Sequence, residues 1–188
     1  MKRIILASNS PRRRELLAGL GLAYEVRVLE GIDESFPDEL QGGEVAAYIS
    51  RVKAEAYQAT MADDELVITA DTIVCLDDKV LGKPADEAEA IEMLHRLSGC
   101  THQVYTGVTI LAAEKSSTFV SRSDVTFAQL SDEEIEYYVT NFSPLDKAGA
   151  YGIQEWIGYI GVERIEGSYF NVMGLPVQRL YAELKKYL

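Results

Sequence analysis

The chain has 188 residues, 47% of them hydrophobic, and a formal net charge of -12, which predicts one domain over residues 1–188 with a well-buried core. The excess of acidic side chains argues against a nucleic-acid partner, because a surface that binds nucleic acid needs many exposed cations. No apolar stretch approaches the roughly 20 residues of a membrane span. We therefore expect a cytoplasmic protein without a membrane partner, and two reduced cysteines outside any metal-ligand spacing.

The first half of the chain alternates predicted strands and helices. Ser10 has the character of an N-cap and Pro11 that of a first helical residue. Apolar residues at helical spacing place Lys53 on a second helix. The predicted elements are a strand over 3–7, a helix from 11 to about 19 or 21, a strand over 24–30 and a helix over about 44–61.

The second half is richer in strands. Asp77 and Asp78 mark a hairpin turn, and the pair Ser131 and Glu134 has the pattern of a capping box. The predicted elements are a strand over 65–70 that ends at Asp71–Thr72, a hairpin over 72–82, a helix over 86–99, strands over about 102–113 and 118–129, a helix from 131, a strand over 156–167 and a closing helix over 174–188. This order predicts an α/β fold with a mixed sheet.

A basic cluster begins the first helix. Arg12, Arg13 and Arg14 follow a Ser-Asn-Ser-Pro turn, although cations in a first helical turn oppose the helix dipole by some tenths of a kcal/mol each. Backbone N–H groups at such a turn attract anions, and arginine donates to phosphate oxygens in pairs. The cluster predicts a phosphate site; the alternatives are a solvated helix start or a contact with an acidic partner or subunit.

Several carboxylates and lysines could complete this site. Asp71 follows a buried strand, where ligands of open α/β sheets collect, and it suits either a metal ligand or a general base. Asp33 and Glu34, in the loop after the second strand, offer further carboxylates. Two such carboxylates and several waters suit Mg²⁺ bound to substrate phosphates. Lys53 and Lys83 are candidates for a cationic lining.

Five segments in the same order resemble the hallmark motifs of the Maf family of nucleoside triphosphate pyrophosphatases. They are LASNSPRRRELL, ADTIV followed by GKP, SGCTHQVYTGV, DKAGAYGIQ and GSYFNVMGLP. The resemblance implies an elongated, twisted mixed sheet with flanking helices, like that of the inosine-triphosphate pyrophosphatases, with two lobes allowed around a central cleft. It also implies a homodimer and the hydrolysis of a nucleoside triphosphate to its monophosphate and pyrophosphate with a divalent cation, Mg²⁺ or Mn²⁺.

The resemblance also implies roles for single residues. Asp71 matches the family's proton acceptor, and Glu34 with Asp71 would bind the metal. Three positions that separate a dTTP and UTP branch from a 7-methyl-GTP branch match Arg12, Thr72 and Gln154, and all three carry the pyrimidine-branch residue. The Gln154 amide can both donate and accept, as the edge of uracil or thymine requires. The implied substrate-binding set is Ser8, Ser10, Arg12, Arg13, Lys53, Thr72, Lys83 and Gln154.

The predicted reaction is in-line attack of water on the α-phosphorus, with positioning and charge neutralisation supplying the rate. The sequence leaves open whether Asp71 or a metal-bound hydroxide is the base. A nucleotidyltransferase is one alternative, although the Ser-Asn-Ser-Pro turn contains no glycine. A non-catalytic nucleotide-binding regulator of cell division is the other.

Overall fold

In a computed structural model, which describes residues 2–188, the seven strands form one mixed sheet. The strands are β1 (Arg3–Leu6), β2 (Tyr24–Val26), β3 (Glu65–Leu76), β4 (Lys79–Leu81), β5 (Thr101–Leu111), β6 (Ser116–Phe127) and β7 (Val162–Glu166). The helices are α1 (Pro11–Ala18), α2 (Gly43–Glu55), α3 (Glu87–Leu97), α4 (Asp132–Phe142), α5 (Trp156–Gly161), α6 (Tyr169–Met173) and α7 (Val177–Leu184), with 3-10 turns at Pro144–Asp146 and Ala148–Ala150. The predicted α/β fold with a mixed sheet is confirmed.

The strands run in the order β2-β1-β3-β5-β6-β7, and β4 pairs with β3. β1 pairs in parallel with β2 and β3, whereas the other neighbours are antiparallel. β5 occupies one edge of β3 over 67–75, so β1 and β4 share the other edge, at 65–68 and 74–76. Within the described residues, this leaves positions 69–73 of β3 without a strand partner on that edge.

Alternation along β3 divides the core between the two faces of the sheet. Ile68 and Val74 pack with residues of α1, α3, α4 and α7 in the largest cluster. Val67 and Ile73 face the other way, toward α2 and the segment after it. Period-two alternation therefore puts Asp71 on the α2 face and Thr72 on the opposite face.

Several local predictions are confirmed. The Ser10 side chain caps α1, with Pro11 as its first residue. Ser131 and Glu134 form the predicted capping box of α4. The β3–β4 hairpin turns at Asp77 and Asp78, which both have positive φ, as a type I′ turn requires.

The prediction of a strand over 156–167 is wrong for its first half. Residues 156–161 form α5, and only 162–166 form a strand. Ile157 and Gly161 are both buried, and their spacing of four is helical rather than alternating. Gly158 also lies against the preceding turn, since a Cβ there would come within 1.8 Å of the Ile153 carbonyl oxygen.

Other boundaries also differ from the prediction, and the closing helix predicted over 174–188 covers only Val177–Leu184. The strand predicted over 24–30 ends at Val26, and the helix predicted to 61 ends at Glu55. The prediction that a strand ends at Asp71–Thr72 is wrong, because β3 continues to Leu76 through its pairing with β5. The polar pair instead marks the unpaired stretch of the β3 edge. The short helix α6 lies in a segment for which no element was predicted.

Candidate active site

The unpaired edge of β3 is occupied by the side chain of Arg13. Its Nη1 donates to the Ala70 carbonyl oxygen at 3.0 Å, and its Nη2 donates to Thr72 Oγ1 at 3.1 Å. Its Nε donates to the carbonyl oxygen of Gly174 at 2.8 Å. The guanidinium thus satisfies one backbone acceptor of this edge, the Ala70 carbonyl, which a further strand would otherwise pair. Burial lowers the pKa of Arg13 from its ordinary value, and the Asp71 carboxylate opposes that shift.

Two carboxylates converge on the ammonium group of Lys53. Lys53 Nζ lies 2.8 Å from Asp71 Oδ1 and 3.2 Å from Glu34 Oε2. Lys53 and Asp71 have side-chain exposures of only 15% and 14%, so solvent screens their attraction less than it would at the surface. The trio joins α2, β3 and the loop that precedes α2.

A glycine on β5 allows α2 to reach this position. Gly107 is the register partner of Asp71, so the two residues face the same side of the sheet. A Cβ on Gly107 would lie 2.3 Å from the Ala46 carbonyl oxygen of α2. The missing side chain lets the helix backbone lie directly on the sheet, and Lys53 two turns later reaches Asp71.

All of the sequence-predicted site residues line one cleft, formed by two adjoining cavities with a shared wall. The shared wall consists of Ser10, Arg12, Arg13, Glu34, Lys53, Lys83 and Asp146. Ser8 lies in the cavity beside the Ser-Asn-Ser-Pro turn, and Asp71, Thr72 and Gln154 lie in the other. The cleft therefore has opposite charges at its centre, while the role of each residue stays a prediction.

The cavity that contains Gln154 also has apolar residues in its wall. Its walls include Val74, Val104, Tyr151 and Met173. The Gln154 side-chain oxygen is buried and has no hydrogen-bond partner among residues 2–188, although most buried acceptors are paired. No protein donor fixes the orientation of this amide, so it can turn toward a bound polar ring. Apolar wall residues together with one adaptable amide suit a planar base.

Comparisons with known proteins identify the family of this chain. The family model for Maf-like proteins matches residues 3–187. This chain belongs to the Maf family. It is 62% identical over 184 residues to the dTTP/UTP pyrophosphatase of Phocaeicola vulgatus, covering 98% of this chain and 95% of that protein. It is 61% identical to the protein of the same name from Bacteroides thetaiotaomicron, covering 97% and 95%.

The fold of this Maf chain is also found in solved structures of lower similarity. The Staphylococcus aureus Ham1 protein aligns with a TM-score of 0.58 at 16% identity, over 100% of both chains. A HAM1 protein from Coxiella burnetii aligns with a TM-score of 0.54 at 14% identity, over 99% of this chain and 100% of that one. At such identities the likeness concerns the fold alone.

One residue of the cleft, the buried Lys147, was not predicted from the sequence. Lys147 Nζ lies 2.9 Å from Asp146 Oδ1 and 3.2 Å from Glu155 Oε1, with only 9% of its side chain exposed. The Tyr138 hydroxyl donates to the other oxygen of Glu155 and accepts from the backbone N–H of Gly152 at 3.0 Å. This network fixes the loop just before Gln154. The sequence signal that could have indicated Lys147 is a lysine among small residues in the segment DKAGAYG.

The remaining predicted residues have simpler surroundings. Arg12 Nε donates to the Met173 carbonyl oxygen at 3.3 Å, so both arginines are fastened to the end of α6. Ser8 Oγ accepts from the backbone N–H of Ser10 at 3.2 Å and shapes the turn. Lys83 is exposed at the cleft wall, where its ammonium can reach a bound anion.

No helix in the described part of the chain is long and apolar enough to cross a membrane.

The donor set at the centre of the cleft fits a divalent cation. Lys53 Nζ stands between the oxygens of Glu34 and Asp71, so a positive charge is already accommodated there. Residues 2–188 contain no cluster of three or more His, Cys, Asp or Glu side chains able to hold a metal. Two carboxylates are what Mg²⁺ takes from a protein when substrate phosphates supply further ligands.

Proposed function

We propose that this chain hydrolyses dTTP, UTP and modified pyrimidine nucleoside triphosphates to the monophosphate and pyrophosphate, removing them from the nucleotide pool. The observation that carries the proposal is the cleft itself, in which cationic side chains, two carboxylates and the Gln154 amide, whose buried oxygen has no partner among residues 2–188, line adjoining cavities. The names of the relatives that share about 60% of its residues support the same reaction.

The cationic wall would hold the triphosphate. Arg12, Lys53 and Lys83 surround the centre of the cleft together with Arg13. Arg13 has five N–H donors and uses three of them on protein oxygens, which leaves one on each terminal nitrogen. These two donors remain available for charge-assisted hydrogen bonds to phosphate oxygens.

Asp71 would accept the proton of the attacking water. Lys53 binds Asp71 Oδ1, and Oδ2 accepts no hydrogen bond from residues 2–188, so it is the oxygen available to water. The water oxygen forms a bond to the α-phosphorus, the bond to the bridging oxygen breaks, and pyrophosphate leaves with the electron pair. Its charge develops beside the cationic wall, where fixed positive groups stabilise it.

A divalent cation, Mg²⁺ or Mn²⁺, is part of the proposal. Glu34 and Asp71 would hold it, and the bound cation would neutralise charge on the phosphate oxygens. Lys53 already joins the same two carboxylates and would keep them oriented toward the triphosphate.

A substrate panel tests the proposal and the part of Gln154 in it. We expect kcat/KM to be highest for UTP and dTTP, with pyrophosphate as the product. Gln154→Glu should lower kcat/KM for UTP by at least about tenfold, because a carboxylate cannot donate to a uracil carbonyl. Gln58→Glu, at an exposed position, is the control for added charge. Orthophosphate as the product, or no turnover of any triphosphate, would contradict the proposal.

Assembly and location are further parts of the proposal. We expect a homodimer in the cytoplasm, acting on a small nucleotide without a nucleic-acid or membrane partner. Sedimentation equilibrium measures the mass directly, and a monomer at micromolar concentration would contradict the dimer.

A further inference from the structure

Arg13 belongs to a closed ring of hydrogen bonds that reaches beyond the cleft. On one side, Arg13 Nε donates to the Gly174 carbonyl oxygen, and the Gly174 N–H donates to the Asn171 carbonyl oxygen at 3.0 Å. On the other side, Arg13 Nη2 donates to Thr72 Oγ1, which lies 2.8 Å from Thr106 Oγ1. Thr106 Oγ1 then donates to the same Asn171 carbonyl oxygen at 3.0 Å.

Counting protons fixes the direction of every bond in this ring. The Asn171 carbonyl can only accept, so it takes the single proton of the Thr106 hydroxyl. The bond between the two threonines is therefore donated by Thr72, whose own proton is then used. Arg13 can only donate, and it gives Thr72 the one hydrogen bond that this hydroxyl still needs as an acceptor.

This direction limits what Thr72 can do for a substrate. Its proton is committed to Thr106, so its hydroxyl has only a lone pair left and cannot donate to an oxygen of the nucleotide. Thr106 is fully buried and cannot touch the nucleotide at all. Both hydroxyls nevertheless determine where the Nη2 end of Arg13 points.

We propose that Thr106 is a positioning residue for the reaction, and that Thr72 acts on the triphosphate mainly by holding Arg13. The inference rests on the proposed function, because it assigns Arg13 to the phosphate chain. The register of the sheet supports it: Thr72 and Thr106 are direct partners on β3 and β5, so the hydroxyl pair is built into the strand alignment. The Gly174 side of the ring fixes Nε, and the threonine side fixes Nη2.

Thr106→Val tests the proposal, since valine keeps the shape and removes the hydroxyl. The Thr72 proton then has no acceptor in the ring, and the orientation of Arg13 loosens. We expect kcat/KM for UTP to fall roughly tenfold, as if the loosened Arg13 lost one of its hydrogen bonds to the phosphate. Thr106→Ser, which keeps the hydroxyl, should restore most of the activity.

Thr109→Val is the matched control on the same strand. Thr109 is 1% exposed, and its hydroxyl bonds to Ser50 at 3.0 Å and to Thr118 at 2.9 Å, away from Arg13. The valine variant loses a buried hydroxyl of the same kind, so any general effect on the fold appears here too. Its kcat/KM should stay within about twofold of the wild type, because surroundings without a link to the site do not couple to it.

A double-mutant cycle separates positioning from a general structural effect. If Thr106 acts through Arg13, Thr106→Val should cost nothing more in an Arg13→Ala background, or in Arg13→Lys if the alanine variant does not fold. An equal loss in both backgrounds would overturn the proposal, and so would full activity of Thr106→Val in the wild-type background.

Calorimetric binding of inorganic tripolyphosphate with Mg²⁺ distinguishes failure of this inference from failure of the proposed function. It reports the phosphate site without any hydrolysis. If the wild type turns over no nucleotide, the proposed function fails, yet a tripolyphosphate affinity lowered by Thr106→Val and not by Thr109→Val would still support the ring. Equal affinities for all the variants would overturn it.

Discussion

Replacing Asp71 with asparagine removes a negative charge and a proton acceptor from the cleft with almost no change of shape. Lys53 Nζ contacts Asp71 at 2.8 Å and Glu34 at 3.2 Å, and the asparagine oxygen can still accept from Lys53. An ion pair thus becomes an ordinary hydrogen bond, which should cost about 1 kcal/mol of unfolding free energy. For a chain of this size that is a shift of roughly 2–4 °C in Tm.

The effect on the rate should be far larger than the effect on stability. Loss of a positioned general base lowers kcat by about 10²–10⁴. The change of charge works the other way on binding, because Lys53, Glu34 and Asp71 together go from one net negative charge to none. At saturating Mg²⁺, the KM for UTP should therefore stay the same or fall.

The assay is the release of pyrophosphate from UTP over a range of nucleotide concentrations, with Tm recorded for each variant. Asp33→Asn is the matched control, because Asp33 neighbours Glu34 but is exposed and accepts from the Ser35 backbone N–H at 2.9 Å. Its kcat should be unchanged. An Asp71→Asn enzyme that keeps a tenth or more of the wild-type kcat would remove Asp71 from the chemistry.

Three other variants test the framework of the cleft. Gly107→Ala should lower the free energy of unfolding by about 1–3 kcal/mol, because its Cβ would lie 2.3 Å from the Ala46 oxygen; an unchanged urea midpoint would contradict this. Lys147→Met leaves the largely buried Glu155 carboxylate without its counter-ion, whereas Asp146 is exposed and screened by solvent; the loss at Glu155 should cost about 3 kcal/mol at neutral pH, again read from urea unfolding, and wild-type stability would refute it. The hydrogen bonds of Arg27 lower the pKa of Glu65 from 4.5 to about 2, so their stabilisation is complete above pH 4.5 and lost as the pH falls toward 2. Glu65→Gln should therefore destabilise the protein at pH 7 and hardly at pH 2, as thermal unfolding at both pH values would show; an equal loss at both would contradict the assignment.

Much of the site could be predicted because its signals are local. A proline after a capping serine fixed the start of α1, and the arginines follow from that position. Asp71 was predictable as a site residue because its carboxylate directly follows a buried apolar run. The physical reason for the position of Asp71 is different. β3 continues past Asp71 to Leu76, whereas the pairing of β1 with β3 ends at Ile68, so Asp71 lies where β3 has lost its neighbour.

The parts that could not be predicted depend on contacts between distant segments. The pairing of Thr72 with Thr106 requires the register of β3 and β5, and that register is set by the whole hydrophobic pattern of both strands. The glycine at 107 is meaningful only once α2 is known to cross β5 there. In residues 156–161, the aromatic and β-branched side chains of Trp156, Ile157, Tyr159 and Ile160 suit a strand locally, and only burial of one side shows the helix.

The central claim is that water attacks the α-phosphorus of a nucleotide bound between the cationic wall and Asp71. Hydrolysis of UTP in water labelled with heavy oxygen, followed by mass spectrometry of both products, tests it most directly. We predict the label in the nucleoside monophosphate and unlabelled pyrophosphate. Label in the pyrophosphate, or in released orthophosphate, would place the attack at another phosphorus and contradict the account.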